Sequence, residues 1–217
     1  MNLHTADYQP GLLGQCVDLM SDTWNFNGLY PGLRKKNLVN ELFFREAIMG
    51  ANHSELVVDD QGSVHGYLFG FLPRAGEPMV VPLFRRMGAW IWAIFHFIAG
   101  SFGPRLQALR RTRELLAMTG SLEALRNPDD AYVCLFFVRS TLRGLGWGKR
   151  LMDSFNRKAE QHRSWRIYLW TDKGCNYRFY EHTGFRRIRE ISSPLLAQPG
   201  SEPNGFVYAR EVRVQAG

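Results

Sequence analysis

Val138-Arg-Ser-Thr-Leu-Arg143-Gly-Leu-Gly146-Trp-Gly148-Lys-Arg-Leu151 joins an apolar, aromatic run (Tyr132-Val-Cys-Leu-Phe-Phe-Val138) to a helical pattern in which Trp147, Leu151, Met152, Phe155 and Ala159 share one face. The run reads as a strand and the pattern as an amphipathic helix, with glycines at the turn between them. Such a junction is an anion cradle. The first amides of a helix have no intrahelical acceptor, and the helix dipole favours negative charge beside them. The stretch therefore reads as the holder of a phosphorylated ligand.

Spacing decides which one. No Gly-Lys-Ser/Thr follows at the distance a Walker loop requires. Glycines at 144, 146 and 148 with Leu at 151 do not make a dinucleotide Gly-x-Gly-x-x-Gly. Arg143-x-x-Gly146-x-Gly148 after a strand instead resembles the acetyl-CoA pyrophosphate loop of the GNAT superfamily of N-acetyltransferases. A second element, Thr171-Asp-Lys-Gly-Cys-Asn176-Tyr-Arg-Phe-Tyr180-Glu-His-Thr-Gly184-Phe185, resembles that family's later strand and short Tyr-bearing helix, with Gly-Phe four residues on. Together the two cover about residues 131–191. Two departures stand out: a long insert at 73–130, and Lys173 where many relatives carry Asn.

The resemblance implies an α+β fold with a mixed, mostly antiparallel central sheet flanked by helices. Residues 73–130 form a helical insert between the third and fourth strands, and residues 1–217 form one acyl-CoA N-acyltransferase domain. It also implies direct transfer of an acetyl group from acetyl-CoA to an amine in a ternary complex, without a metal. Main-chain N–H groups of Arg143, Gly144, Leu145, Gly146, Trp147, Gly148 and Lys149 would hold the pyrophosphate, with side-chain charge from Arg143 and Lys149. Pantetheine would pair with the strand edge at Phe136, Phe137 and Val138, where an N–H near Phe137 or Val138 faces the thioester carbonyl. Asn176 would hydrogen-bond the cofactor arm, or simply start a helix. Tyr180 would be the general acid to the thiolate, against a plain packing role beside Tyr177 and Phe179. Asp172, Glu77, His65 and Asp130 are candidate bases by position, each equally readable as a turn or surface residue, and none is assigned. Cys175, near a helix start, offers a minor covalent acyl-thiol route.

The remaining chain is read from its residues. Leu13, Val17, Met20 and Trp24 follow helical spacing up to Gly28 and Pro31-Gly32, and a second helix is expected from Arg34 to Met49. Residues 55–59 and 64–72 read as a hairpin around Asp60-Gln-Gly62, with Gly66 and Gly70 leaving room for close approach. Prolines 73, 78, 82, 104 and 128 punctuate an insert with two apolar helical patterns, one through Leu83, Met87, Trp90, Ile91, Ile94 and Ile98, the other from Arg113 to Arg126. Strands are expected at 131–138, 166–171, 186–191 and 206–214, with a short helix at 176–183 ended by Gly184 and a loop from Pro194 to Gly205.

Composition adds limits. At 217 residues, 45% apolar and 22% charged, the chain can bury one good core. Its net charge of +7 gathers at Arg34-Lys35-Lys36, Arg85-Arg86, Arg110-Arg111-Thr112-Arg113 and Arg186-Arg187-Ile188-Arg189, which draws polyanions but includes no recognisable nucleic-acid reading element. Cys16, Cys134 and Cys175 fit neither a metal site nor a disulfide framework, and Cys134 reads as a buried thiol. Without a visible signal peptide the expected compartment is the cytoplasm. Residues 87–103 carry no charge but are too short to span a bilayer. They are read as packing over the sheet, walling the acceptor cleft or meeting a second copy in a homodimer, with membrane contact as the lesser reading. The competing function is a non-catalytic acyl-CoA-binding or interaction module that uses this aromatic insert.

Overall fold

The computed structural model describes residues 2–24, 26, 30, 32–35, 37–73, 83–123, 125, 127, 129–193, 195–196 and 203–212, without the side chains of 83–90, 115, 116 and 118–123. Glu77, Gly28, Pro31 and the prolines at 78, 82 and 128 lie outside the described residues. Seven strands form one sheet: β1 (Leu3–Ala6), β2 (His53–Asp59), β3 (Val64–Phe71), β4 (Ala131–Val138), β5 (Arg166–Asp172), β6 (Arg186–Ile191) and β7 (Gly205–Glu211). Their order is β1-β2-β3-β4-β5-β7-β6. Every neighbouring pair is antiparallel except β4 and β5, which are parallel.

Helices α1 (Leu13–Ser21) and α2 (Leu38–Met49) cover one face of the sheet, and α5 (Trp147–Gln161) covers the other. The insert between β3 and β4 supplies α3 (Leu83–Ile98) and α4 (Arg105–Glu123), and α6 (Arg178–His182) follows β5. The α5 face buries Leu151, Met152, Phe155 and Ala159 against Leu68, Val133 and Leu169. That is the stripe expected from its spacing, and each fully buried large side chain contributes about 1.5–3 kcal/mol. Gly70 explains how α5 comes so close, because a Cβ at that position would overlap the Phe155 ring.

Several boundaries differ from the sequence expectation. Strand β1 was not expected, since Leu-His-Thr-Ala is too short to alternate clearly. Helix α2 starts at Leu38 rather than Arg34, because Asn37 sits at φ +62°, outside helical geometry. Helix α4 starts at Arg105 rather than Arg113. The Pro104 carbonyl accepts from Ala108 at 3.0 Å and begins the helix, while the exposed Leu106 and Leu109 disguise its first turns. Strand β2 begins two residues early, at His53, and α6 shrinks to 178–182. Trp24 lies beyond the end of α1 but is still buried.

Candidate active site

Strands β4 and β5 pair only at Ala131↔Ile167 and Tyr132↔Tyr168 and then diverge. The wedge between them is a cleft of about 310 Å³ lined by β4, the 142–149 turn, Trp170, Thr171, Cys175, Asn176, Phe179 and Tyr180, with Thr23 and Trp24 from the end of α1. A β-bulge shapes the β4 wall. Gly70 pairs with Val133 and Phe69 with Leu135, so one step on β3 spans two on β4 and Cys134 is the extra residue. Inward-facing positions switch accordingly: Val133 packs on the α5 side, whereas Leu135 and Phe137 pack on the α1–α2 side. Cys134 is half-buried and lines the cleft, correcting the expectation of a fully buried thiol.

The same ladder assigns the open edge. Arg139 N–H donates to the His65 carbonyl at 2.8 Å. Counting back in the antiparallel alternation, Leu135 and Phe137 direct their main-chain groups to β3, while those of Phe136 and Val138 face the diverging side. Of the two amides expected at the strand edge, Val138 opens to the cleft and Phe137 is turned away.

At the end of β4 a 3-10 turn, Ser140–Leu142, leads into Gly144 at φ +79° and Gly146 at φ +82°. Both conformations are costly for residues with a Cβ, and nothing lies within 4 Å of where a Cβ would stand on either glycine. Gly146 caps α5, whose first helical bond runs from Arg150 N–H to the Gly146 carbonyl. The amides of Trp147, Gly148 and Lys149 therefore point outward from the helix start. Gly148 lies between the Phe136 and Phe179 rings, where a Cβ would be in ordinary contact with both. Arg143, Gly144, Leu145 and Lys149 are exposed around this turn, and Lys149 pairs with Asp153 at 2.5 Å. Leu142 is the anchor that holds the turn to the core.

Across the cleft, Tyr180 sits on α6 among Phe136, Phe179, Phe185 and Tyr208, with ring centroids 5.6–6.3 Å away. Its hydroxyl has no hydrogen-bond partner among the described residues. Burial, reinforced by Cys175, Tyr208 and Asp172, pushes the phenol well above its ordinary pKa, so it stays protonated. Gly184 at φ +87° ends the helix as expected, and Phe185 N–H returns to the Tyr180 carbonyl at 3.0 Å. Helix α6 is clamped from outside by Arg187, which bonds Glu181 (2.8 Å) and Glu190 (2.9 Å) while lying 4.1 Å over the Phe206 ring. Tyr208 O–H donates to the same Glu181 oxygen at 2.8 Å.

A family model of the acetyltransferase (GNAT) domain matches residues 110–193, the segment carrying β4, the glycine turn, β5, α6 and β6. Over those residues the chain is similar to the GNAT acetyltransferase domain. Solved structures with this GNAT fold include arylalkylamine N-acetyltransferase 2 from Aedes aegypti (10% identity, covering 98% of this chain and 100% of that one, TM-score 0.61). Another is a GCN5-related N-acetyltransferase from Kribbella flavida (13%, 96% and 97%, 0.54). A third is the ribosomal-protein-S18-alanine N-acetyltransferase from Escherichia coli (10%, 100% and 97%, 0.51). At such identities the likeness concerns the fold. The sequence search against curated proteins finds no match.

Most of the candidate bases have other work. Asp130, fully buried, takes Arg166 Nε on both oxygens at 2.9 Å and the Asn127 N–H at 2.8 Å, tying the end of the insert to β5. His65 bonds Asp59 at 2.9 Å, and Asp59 also closes the β2–β3 turn through the Gln61 and Ser63 amides. The His65 contact is the main reason the Asp59 carboxyl falls to about 2. Asp172 accepts from Gly174 N–H at 2.8 Å and shapes the turn after β5. None of these three lines the cleft. The Cys175 thiol is pushed up to about 12 by burial and by Asp172, which removes the thiolate a covalent route needs. Asn176 is exposed at the cleft, and its carbonyl accepts from Phe179 at 3.1 Å before α6 begins at Arg178, so it is not the cap of that helix.

The far end of the cleft was not legible in the sequence. Trp24 stacks on Trp170 at 5.3 Å and 13°, and its edge meets Phe43 and Phe137. Asn40, buried on α2, fixes this segment by accepting from Phe26 N–H (3.1 Å) and donating to the Trp24 carbonyl (2.8 Å) and Ser21 Oγ (2.6 Å). The only sequence signal was the aromatic content. Among the described residues no cluster of His, Cys, Asp and Glu could hold a metal ion, and no helix is long and apolar enough to cross a membrane.

Proposed function

We propose that residues 1–217 act as one domain that transfers an acetyl group from acetyl-CoA to a primary amine by direct attack. The observation that carries this reading is the wedge between β4 and β5, which opens beside the free amides at the start of α5. An extended pantetheine arm suits the open edge of β4, where it would meet the main-chain groups of Phe136 and Val138. The pyrophosphate suits the 143–149 turn, whose glycines keep the backbone accessible. The cleft is otherwise apolar along its β4 wall, which suits a thioester.

In this reading the amine nitrogen attacks the thioester carbonyl carbon, and the carbon–sulfur bond breaks as the amide forms. The Val138 N–H, or that of Phe136, stabilises the oxyanion. Tyr180 gives its proton to the departing thiolate. Its raised pKa keeps the proton available at neutral pH and fits an acid rather than a base. Asn176 supports the arm from the opposite lip. The attacking amine loses its proton to solvent or to a group outside the described residues.

The test is calorimetric titration with acetyl-CoA, followed by thiol release over a panel of small amines and peptide N-termini. Binding with amine-dependent thiol release supports the proposal. No binding overturns it. Binding without turnover on any amine would return the competing reading, a non-catalytic acyl-CoA module.

A further inference from the structure

Helix α3 is apolar on two sides. Its inner side places Trp92 and Phe97 against the core, with Phe102 and Ala108 buried just beyond it and the Arg45 guanidinium 5.3 Å over the Trp92 ring. Its outer side presents Ile91, Ile94, Phe95 and Ile98, spaced i, i+3, i+4 and i+7, and each is more than half exposed. The patch continues onto α4, because the Arg105 side chain reaches the Ile98 carbonyl at 3.2 Å and brings the exposed Leu106 and Leu109 after it. A helix packed on a globular core normally turns charge outward, and one that is apolar all round is buried or meets lipid. Six exposed large aliphatic and aromatic side chains on one helical hairpin mark a contact surface rather than scattered exceptions.

Charge identifies the partner. Between residues 78 and 113 the chain carries Arg85, Arg86, Arg105, Arg110, Arg111 and Arg113 and no acidic residue, within a molecule of net charge +7. Glu114, next on α4, pairs with Arg110 at 3.0 Å and Arg111 at 2.8 Å, and one carboxylate leaves this stretch net positive. An apolar stripe rimmed by arginines is complementary to an anionic lipid surface, where the rings and aliphatic chains enter the acyl boundary and the guanidinium groups stay among the headgroups. A second copy fits less well, since a two-fold contact between these patches would bring the arginine rims together. Crossing is excluded by length: 16 residues rise about 24 Å, short of a hydrocarbon core of about 30 Å. We infer that the outer face of α3 and the start of α4 form an interfacial docking surface for anionic phospholipid membranes. The inference does not depend on the proposed acetyl transfer.

Flotation of the full chain with vesicles tests it, using phosphatidylcholine alone and phosphatidylcholine mixed with phosphatidylglycerol. The expected result is partitioning to the anionic vesicles at least about tenfold stronger than to the neutral ones, weakened by added salt. Phe95→Asp and Ile94→Asp, both at exposed positions, should each lower partitioning about tenfold or more while the circular dichroism spectrum is unchanged. Arg113→Glu should reduce the preference for anionic lipid and leave the residual binding to neutral vesicles. Absence from both vesicle types overturns the inference, as does binding that the two apolar substitutions leave intact. A stable dimer in light scattering, dissociated by Phe95→Asp and without vesicle binding, would also overturn it and assign the patch to a second copy.

Discussion

The two walls of the cleft are built from different material. The wall made by β4, α5 and α6 works through its backbone: a bulge at Cys134, two left-handed glycines and the outward amides of a helix start. The wall made by the end of α1 and by α2 works through rings, with Trp24 held between Phe43, Phe137 and Trp170 by the side chain of one buried Asn40. Backbone geometry is fixed by a few residues at short spacing, and many side chains around them can vary. Ring packing depends on contacts among residues far apart in the chain, and any of several aromatic sets would serve. The first kind of wall suits a ligand that does not change, and the second suits one that does.

The largest effect is expected where the backbone wall rests on the sheet. Gly70→Ala places a Cβ into the Phe155 ring and against the Tyr132 carbonyl, so α5 must lift from β3. A loss of about 3 kcal/mol is expected in urea unfolding, several degrees of melting temperature in a chain of this size. Gly62→Ala is the contrast, because its Cβ meets nothing and only the left-handed conformation costs, about 1–2 kcal/mol. Equal losses at both positions would break the idea that α5 seats on Gly70.

The ring wall has its own hinge. Asn40→Ala would leave the Phe26 N–H and the Trp24 carbonyl without their side-chain partner, costing about 2 kcal/mol. The informative readout is kinetic: KM for the amine should rise while the Kd of acetyl-CoA stays unchanged. If acetyl-CoA binding weakens in parallel, the two walls are not separate.

Beneath α5, His53 stacks on Phe155 at 5.6 Å with the Lys158 ammonium 3.3 Å away. Burial, with help from Lys158, lowers the imidazole to about 4. The folded pKa lies below the unfolded value of about 6.5, so between those values the unfolded chain binds more protons. Stability is therefore present in full above about pH 6.5 and is lost as pH falls from there toward 4. About 2 kcal/mol of the acid-side decline should disappear in His53→Leu, measured as urea midpoints at pH 7 and pH 5. A variant whose two midpoints differ as much as those of the parent would show that His53 is not the group responsible.

How legible each wall was follows from the same contrast. Spacing alone located β4 over 131–138 and β6 over 186–191, together with the turn at 143–149 and the ending Gly184, because glycine conformation and helix starts are short-range properties. The bulge at Cys134 was invisible, since Tyr132 to Val138 is apolar throughout and gives no alternation to interrupt. That loss mattered, because the bulge and the ladder together turn Phe137 away and leave Phe136 and Val138 at the open edge. Trp24 was read as one more residue on the apolar face of α1, and nothing local could reveal that it sits beyond the helix against Trp170. The candidate bases show a related effect. Asp130 and Asp172 are buried acids held by an arginine and a turn amide, and His65 pairs with Asp59, all partners whose positions only the tertiary fold supplies.

At the reacting end of the cleft the expected effect is chemical. Tyr180→Phe keeps the ring among Phe136, Phe185 and Tyr208 and removes only a hydroxyl that has no partner among the described residues. The fold should therefore be unaffected and the Kd of acetyl-CoA unchanged, while kcat falls about tenfold through loss of the acid. An unchanged kcat would return Tyr180 to a packing role and leave thiolate protonation to water.

The smallest effect separates backbone from side-chain contributions within the proposed phosphate cradle. Lys149 is exposed and already paired with Asp153, so its ammonium is screened by solvent and partly neutralised before any phosphate arrives. Exposed pairs of this kind contribute about 0–1 kcal/mol. Lys149→Ala should weaken acetyl-CoA about twofold at low salt and not measurably at high salt. Gly146→Val, which keeps every charge but strains a residue at φ +82°, should weaken it several times more at either salt concentration. If the order is reversed, the pyrophosphate is held by charge rather than by amides, and the distinction between the two walls no longer holds.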